Sequence, residues 1–206
     1  MEKLRVMHAP IERSGRFIDR FLATKAKTLA GRARQLTVLT PQSVGLRRED
    51  APYAPRAEHF ETANKRLASI DRAVKLRLAE ASNALRGHSR DDKLLALAMV
   101  ERELDRARRA FGLFFEVFAQ RGTAYGPALA AHDAIARDCY TAVRAADPKI
   151  FAGPLVPPLT YLEHGYSPAT MRRGVTLSRL LGESNPFPLI RIPYDRDQPW
   201  QAVFLH

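Results

Sequence analysis

Histidine and cysteine are the side chains best suited to acid–base, nucleophilic or metal chemistry, and this chain contains six histidines and one cysteine. His132 and Cys139 are seven residues apart in one predicted helix, so at 1.5 Å per residue about 10 Å separates them. A histidine at that distance cannot activate a thiolate, and we expect Cys139 to be buried and unreactive. No spacing typical of a metal site links the other internal histidines, which are His8, His59, His88 and His164.

The usual sequence motifs of nucleotide-dependent enzymes and hydrolases are missing from the chain. It contains no glycine-rich dinucleotide fingerprint, no phosphate-binding loop of the Walker type and no nucleophile-elbow pattern. The Glu-x-x-His pairs of a di-iron bundle do not occur, and one cysteine cannot build a zinc finger or ribbon. The polar stretch 163–166 lies between proline-rich segments, and we expect a structural loop there.

The C-terminal segment carries the pattern that does indicate chemistry. Asp197 to Pro199 is typical of a helix start, and Trp200 to His206 continue that helix without a stop signal. The segment from Phe187 onward resembles the region of zincin-type metallopeptidases that ends at the first histidine of their His-Glu-x-x-His motif. In that family the two histidines bind one zinc ion, and the glutamate between them activates the bound water. Only His206 matches the motif itself.

The resemblance implies a substrate strand, a metal and a partner. In such peptidases an edge strand before the metal helix pairs with the extended substrate. In this chain, Pro188 and Pro193 predict that the strand over Phe187 to Tyr194 lies at the edge of a sheet. Zinc is implied only if the chain continues past His206, where the glutamate and the second histidine would lie. The resemblance implies that this chain is the helical N-terminal part of a metallopeptidase, which is non-catalytic by itself and acts as a scaffold or regulatory region. Its partner would be its own C-terminal catalytic portion or another protein. The implied substrate-pairing residues are Leu189, Ile190, Arg191 and Ile192.

The net charge of +11 indicates an alternative function, which is binding without chemistry. Residues 1–50 carry 11 basic and 5 acidic side chains, more than half of the excess. Apolar residues at helical spacing between Ile11 and Leu29 predict an amphipathic helix, in which Phe17 and Phe21 belong to the stripe that faces the core. The alternative is therefore a basic helical module that binds nucleic acid or an acidic protein partner. Its contact residues would be Arg13, Arg16, Arg20, Lys25, Lys27, Arg32 and Arg34.

The composition limits the class of protein. With 46% hydrophobic and 27% charged residues, the chain matches ordinary globular proteins rather than disordered ones. A single cysteine cannot form an internal disulfide, which favours a reducing compartment. The longest purely apolar run, Leu94 to Val100, is far too short to span a membrane. Charged residues occur throughout 1–16 and no apolar stretch typical of a signal peptide is present there, so we expect no secretory signal. We expect a cytoplasmic protein without a transmembrane segment.

Long helices must position these residues. Apolar side chains recur at steps of three and four residues over 60–85 and again over 94–118. Gly87 between the two runs is placed to end a helix, and Ser89 is placed to begin the next one. The pattern predicts a long antiparallel helical hairpin.

Further helices and a strand flank the hairpin. Pro127 predicts the start of a helix that ends near Ala146, and Ser167 with Pro168 predicts a helix through Leu181. The fold class is mainly α, with a small proline-rich α+β segment after the helices. The predicted divisions are a basic amphipathic helix (1–40), a linker (41–55), a helical bundle with the hairpin (56–148), and an α+β segment with the edge strand and the start of a C-terminal helix (149–206).

Overall fold

The computed structural model describes residues 2–33, 38–147, 156–163, 169–171 and 187–193, with side chains described within 17–33, 38–147, 156–162 and 187–192. In these ranges the long helices α1 to α4 span Glu2–Ala33, Ala57–Gly87, Arg90–Ala119 and Gly126–Ala146. Short 3₁₀ turns lie at Arg48–Asp50 and Gln120–Gly122, and the strands are β1 (Leu159–Glu163), β2 (Ala169–Met171) and β3 (Leu189–Pro193). The predicted mainly α fold is confirmed.

Helices α2 and α3 form the predicted antiparallel hairpin. The Ser89 hydroxyl accepts a hydrogen bond from the Asp92 N–H at 3.2 Å, which caps the start of α3 as the sequence predicted. Phe60 near the start of α2 contacts Phe118 near the end of α3, with ring centroids 4.5 Å apart, so the two helices run in opposite directions. The buried residues of the seam include Ala63, Ile70, Val74 and Ala81 in α2, and Leu97, Val100, Leu104, Ala107 and Phe114 in α3.

The chain divides into two compact units, the first of which comprises Met1–Leu36 and Ser69–Arg108. In this unit α1 is joined to α3 by ion pairs, with Lys25 at 2.9 Å from Glu101 and Arg32 at 3.0 Å from Asp105. Because the residue numbers rise in the same order on both helices, α1 runs parallel to α3. No helix in the described part of the chain is both long enough and apolar enough to cross a membrane.

The second unit comprises Thr37–Ala68 and Arg109–His206 and contains a three-stranded sheet of order β1-β3-β2. Strand β3 pairs parallel with β1, with Leu159 opposite Leu189, and antiparallel with β2, with Ala169 opposite Arg191. Phe187, which precedes β3, packs on Phe114 with ring centroids 5.8 Å apart. The predicted boundary between 148 and 149 lies inside this unit.

The predicted edge position of the strand over Phe187 to Tyr194 is wrong, because β3 lies between β1 and β2 at the centre of the sheet. The two prolines on which that prediction rested stand at the ends of the strand. Pro188 precedes β3, and Pro193 lies beyond the last residue pair that β3 forms with β2. A missing N–H at a strand end interrupts no pairing, so proline there does not require an edge.

Two further segments differ from the predictions. Residues 41–55, predicted as a linker, contain a turn whose Gly45 has a φ of 78°, in the left-handed region that favours glycine, and a 3₁₀ turn with buried Asp50. Ala169–Met171 form β2 instead of the first turn of the predicted helix through Leu181, because they pair with β3. The rest of that helix, the loop residues 164–166 and the predicted C-terminal helix lie outside the described residues.

Candidate functional site

The outer face of α1 carries the first group of candidate binding residues. Leu22 and Leu29 are fully buried, while Arg20 and Lys27 are exposed. Each of the two cations lies two residues before one of the leucines, which is about 200° around the helix axis at 3.6 residues per turn. Arg20 and Lys27 therefore lie on the side of α1 opposite its buried stripe.

Arg13 and Arg16 extend this face along the backbone of α1. They precede Arg20 by seven and four residues, and such spacings return to the same side of a helix. Among the residues whose side chains are described, neither Arg20 nor Lys27 is in an ion pair, and both are exposed. We define the basic face as Arg13, Arg16, Arg20 and Lys27.

The other predicted contact residues are placed differently. Lys25 and Arg32 lie on the flank of α1 that faces α3, where Glu101 and Asp105 neutralise them. Both ion pairs are partly exposed to solvent, so each contributes little to stability. Arg34 lies outside the described residues. The structure thus separates two cations that bind within the protein from two that face solvent.

Phe17 and Phe21, predicted to face the core, are instead 72% and 52% exposed. The buried stripe of α1 is centred on Leu22 and Leu29 and is narrower than the apolar pattern suggested. Phe17 lies five residues before Leu22, about 140° away around the helix, and therefore outside that stripe. The prediction is wrong because apolar residues on the shoulder of an amphipathic helix need not contact a neighbour.

A buried polar network in the second unit was missed by the sequence analysis. The fully buried Arg121 donates hydrogen bonds to both carboxylate oxygens of Asp133, at 2.9 and 3.2 Å, and to the carbonyl of Val117. Asp133 also accepts from the N–H and the hydroxyl of Thr160, at 2.6 and 2.8 Å. Lone arginine, aspartate and threonine residues in different elements form no sequence motif. The network joins α4 to β1. Because buried polar side chains need hydrogen-bond partners, a role in holding the fold together accounts for it.

His59 is buried and held by the backbone at both ring nitrogens. Its Nδ1 accepts from the Arg56 N–H at 3.2 Å, and its Nε2 lies 2.9 Å from the Pro157 carbonyl, to which it must donate. Burial lowers the pKa of His59 below its ordinary value of 6.5, and weaker opposing contributions come from the Pro157 hydrogen bond and the charges of Glu58 and Asp133. The side chain is therefore a neutral, structural imidazole.

A cleft of about 410 Å³ lies beside this network. The polar residues of its wall are Tyr53, Arg56, His59, Asp133 and Arg137, and prolines supply much of the remainder. Both of its acid–base candidates, His59 and Asp133, are already hydrogen-bonded to protein groups. The described wall of the cleft therefore holds no histidine or carboxylate without a hydrogen-bond partner in the protein.

The residues implied by the metallopeptidase resemblance are not brought together in the described structure. His206 lies outside the described residues, and no group of three potential metal ligands occurs among those that are described. In β3, Leu189, Ile190 and Ile192 are buried, and Arg191 is half-buried. An extended peptide could pair with them only if β1 or β2 left the sheet. The metallopeptidase function stays a prediction.

The predicted burial of Cys139 is wrong, because Cys139 and His132 are both half-buried in α4. The predicted lack of reactivity of the thiol stays a prediction. Burial lowers the pKa of His132, and the charge of Asp133 opposes this effect more weakly.

No protein-family model matches the chain, and no match exists among curated proteins or solved structures.

Proposed function

We propose that this chain binds nucleic acid through the basic face of α1. The observation that carries the proposal is the exposure of Arg20 and Lys27 opposite the buried stripe, while Lys25 and Arg32 on the same helix are neutralised by α3. Cations that served only the fold would be expected to have carboxylates beside them. Among the described side chains, Arg20 and Lys27 are in no ion pair, and their exposure favours an external anion as the partner.

The charge of α1 favours a polyanion as the ligand. The helix carries eight basic and three acidic residues, a net charge of +5, and Arg20 and Lys27 lie about 10 Å apart along it at 1.5 Å per residue. Phosphates along a nucleic acid strand present negative charge continuously over such lengths, and contact with them releases condensed counterions. An isolated surface carboxylate on a protein would gain less from an elongated row of cations.

The test is a salt titration of binding to a fluorescein-labelled oligonucleotide, followed by anisotropy. With four phosphate contacts on a single strand, the slope of log K against log salt is expected to be about −3. The variant R20Q/K27Q should reduce the slope to about half and weaken binding roughly tenfold or more at low salt.

The matched control is K25Q/R32Q, which removes the same two charges from the flank that faces α3. It should bind nearly as well as the unmodified chain, because those cations contact Glu101 and Asp105 on the flank that faces α3 and do not reach the ligand. Equal loss in both variants would show an effect of net charge alone and overturn the assignment to the basic face. Displacement of the oligonucleotide by poly-L-glutamate at equal charge concentration would identify an acidic protein as the ligand instead.

We place this function in the cytoplasm, as the single cysteine predicts. A binding role is compatible with the helical, non-catalytic region of a metallopeptidase, because α1 and the C-terminal segment are separate parts of the sequence. Nucleic-acid binding by α1 and the metallopeptidase function are therefore tested independently.

A further inference from the structure

We propose that α1 binds single-stranded nucleic acid, with unpaired bases stacked on Phe17 and Phe21. This inference rests on the proposed function and adds the class of ligand. It starts from the two exposed phenylalanines, which lie on α1 between the basic face and the flank that faces α3.

Helical geometry places Phe17 beside Arg20 and beside Phe21. Phe17 is three residues before Arg20 and four before Phe21, and residues three or four apart are neighbours on a helix surface. Phe21 lies about 100° around the helix from Arg20, on the side toward Lys25. The Arg20 side chain is exposed, as are both rings. The described part of this surface therefore carries one exposed guanidinium group and two exposed aromatic rings within about one helical turn.

An exposed cation with exposed aromatic rings near it suits a single strand better than a duplex. Cations hold the phosphates while successive bases stack on aromatic side chains, and this interaction tolerates any sequence because every base has a π face. In a duplex the bases are already stacked on one another and their faces are covered. Phe17 and Phe21 would then gain nothing from binding.

The structure favours nucleic acid over a lipid surface as the occupant. A helix that lies in a membrane interface buries its whole apolar face among the acyl chains. Among the described side chains of α1, Leu22 and Leu29 are buried within the protein, and Phe17 and Phe21 are the large apolar side chains that are exposed. Phe17 stands beside Arg20 on the helix rather than opposite it, as a strand with alternating phosphates and bases requires.

The experiment compares a fluorescein-labelled oligo(dT) with a duplex of mixed sequence and equal length, by anisotropy, for the full chain and the variant F17L/F21L. Leucine keeps the apolar character and the helical propensity but removes the π face. The unmodified chain should bind oligo(dT) at least tenfold more tightly than the duplex. The variant should lose roughly 5- to 100-fold of its oligo(dT) affinity, keep its duplex affinity and keep the same salt slope.

A second readout reports stacking itself. An oligonucleotide that carries 2-aminopurine should change its fluorescence on binding to the unmodified chain, and F17L/F21L should abolish that change. Circular dichroism serves as the check that helical content is unaltered.

The outcomes separate the two proposals. Equal affinity for oligo(dT) and duplex, unaffected by F17L/F21L, would overturn the single-strand inference and leave phosphate binding in place. Absence of binding to either probe at low salt would overturn both. Tight binding to vesicles containing phosphatidylserine, retained by F17L/F21L, together with weak oligo(dT) binding, would identify a lipid surface and overturn both as well.

Discussion

Buried polar side chains in the second unit obtain their hydrogen bonds from the backbone more than from one another. His59 bonds to Arg56 and Pro157, and Thr160 bonds to Leu129 as well as to Asp133. His59 is three residues after Arg56, the residue that precedes α2, so its ring takes the place that glutamate or glutamine has in a capping box. A neutral imidazole does this without placing a charge in the interior.

We expect the stability of the protein to fall as the pH is lowered below the ordinary histidine pKa of 6.5. Burial lowers the pKa of His59 in the folded state, so below that pH the unfolded chain takes up a proton that the folded chain resists. Above it His59 is neutral in both states and its contribution is fully present. Urea denaturation between pH 7.5 and 5 should show a loss of up to about 1.4 kcal/mol per pH unit from this residue.

The variant H59Q isolates this effect. Glutamine can accept from the Arg56 N–H and donate to the Pro157 carbonyl, but it does not titrate. Its stability should be lower at neutral pH, since the contact with Phe187 is lost, and its pH profile should be flatter. Half-buried His132, whose pKa is also lowered, is expected to supply the remaining slope. Parallel profiles for the two proteins would contradict the assignment to His59.

At the scale of elements, side chains close the outer edge of β1. The Gln120 amide donates to the Leu162 carbonyl and accepts from the Leu162 N–H, both at 2.8 Å. Asp133 accepts from the Thr160 N–H, and Arg121 donates to the Thr160 carbonyl. The backbone groups that a further strand would need are therefore already used, which protects an exposed edge from pairing with another chain.

The variant Q120A should destabilise the protein by about 1–3 kcal/mol, because it leaves the part-buried N–H and carbonyl of Leu162 without partners. The free energy of unfolding in urea measures this loss, and light scattering should show a greater tendency to associate. The control is Q42A, which truncates an exposed glutamine in a turn and should change stability by less than about 0.5 kcal/mol. If Q120A proved as mild as Q42A, the edge would not depend on this amide.

The helices were predictable from the sequence because their patterns are local. Apolar residues spaced three and four positions apart, with Gly87 and Ser89 between the two runs, predict the hairpin without knowledge of distant contacts. The sheet was not predictable in this way, since the partners of β3 residues lie 30 and 22 residues away along the chain, as Leu159 opposite Leu189 and Ala169 opposite Arg191 show. Proline positions alone could not distinguish a strand end from a sheet edge.

The candidate site was predicted in part for the same reason. The basic residues of α1 are visible in the sequence, but their division into paired and free cations depends on Glu101 and Asp105 in α3. The exposure of Phe17 likewise depends on how wide a stripe the rest of the first unit covers. Tertiary contacts decide which residues of an amphipathic helix remain available to a ligand.

For the whole molecule, the charge is concentrated at one end of the sequence and the possible metal residue stands at the other. Residues 1–50 contribute +6 of the net +11. His206 follows β3 by a segment outside the described residues, and a single histidine binds zinc weakly, since zinc sites use three or four protein ligands. The metallopeptidase prediction therefore depends on the residues that would follow His206.

If the native chain continues past His206 with glutamate and, three residues later, histidine, the longer protein should bind one zinc ion per chain. The two histidines would lie one helical turn apart, and a further ligand would complete the site. Metal analysis after dialysis gives the stoichiometry. H206A in the longer protein should lose the zinc while circular dichroism stays unchanged, and H88A, which alters an exposed histidine at the hairpin connection, should retain it. A different continuation, or zinc that H206A retains, would show that the resemblance at the C-terminal segment is accidental.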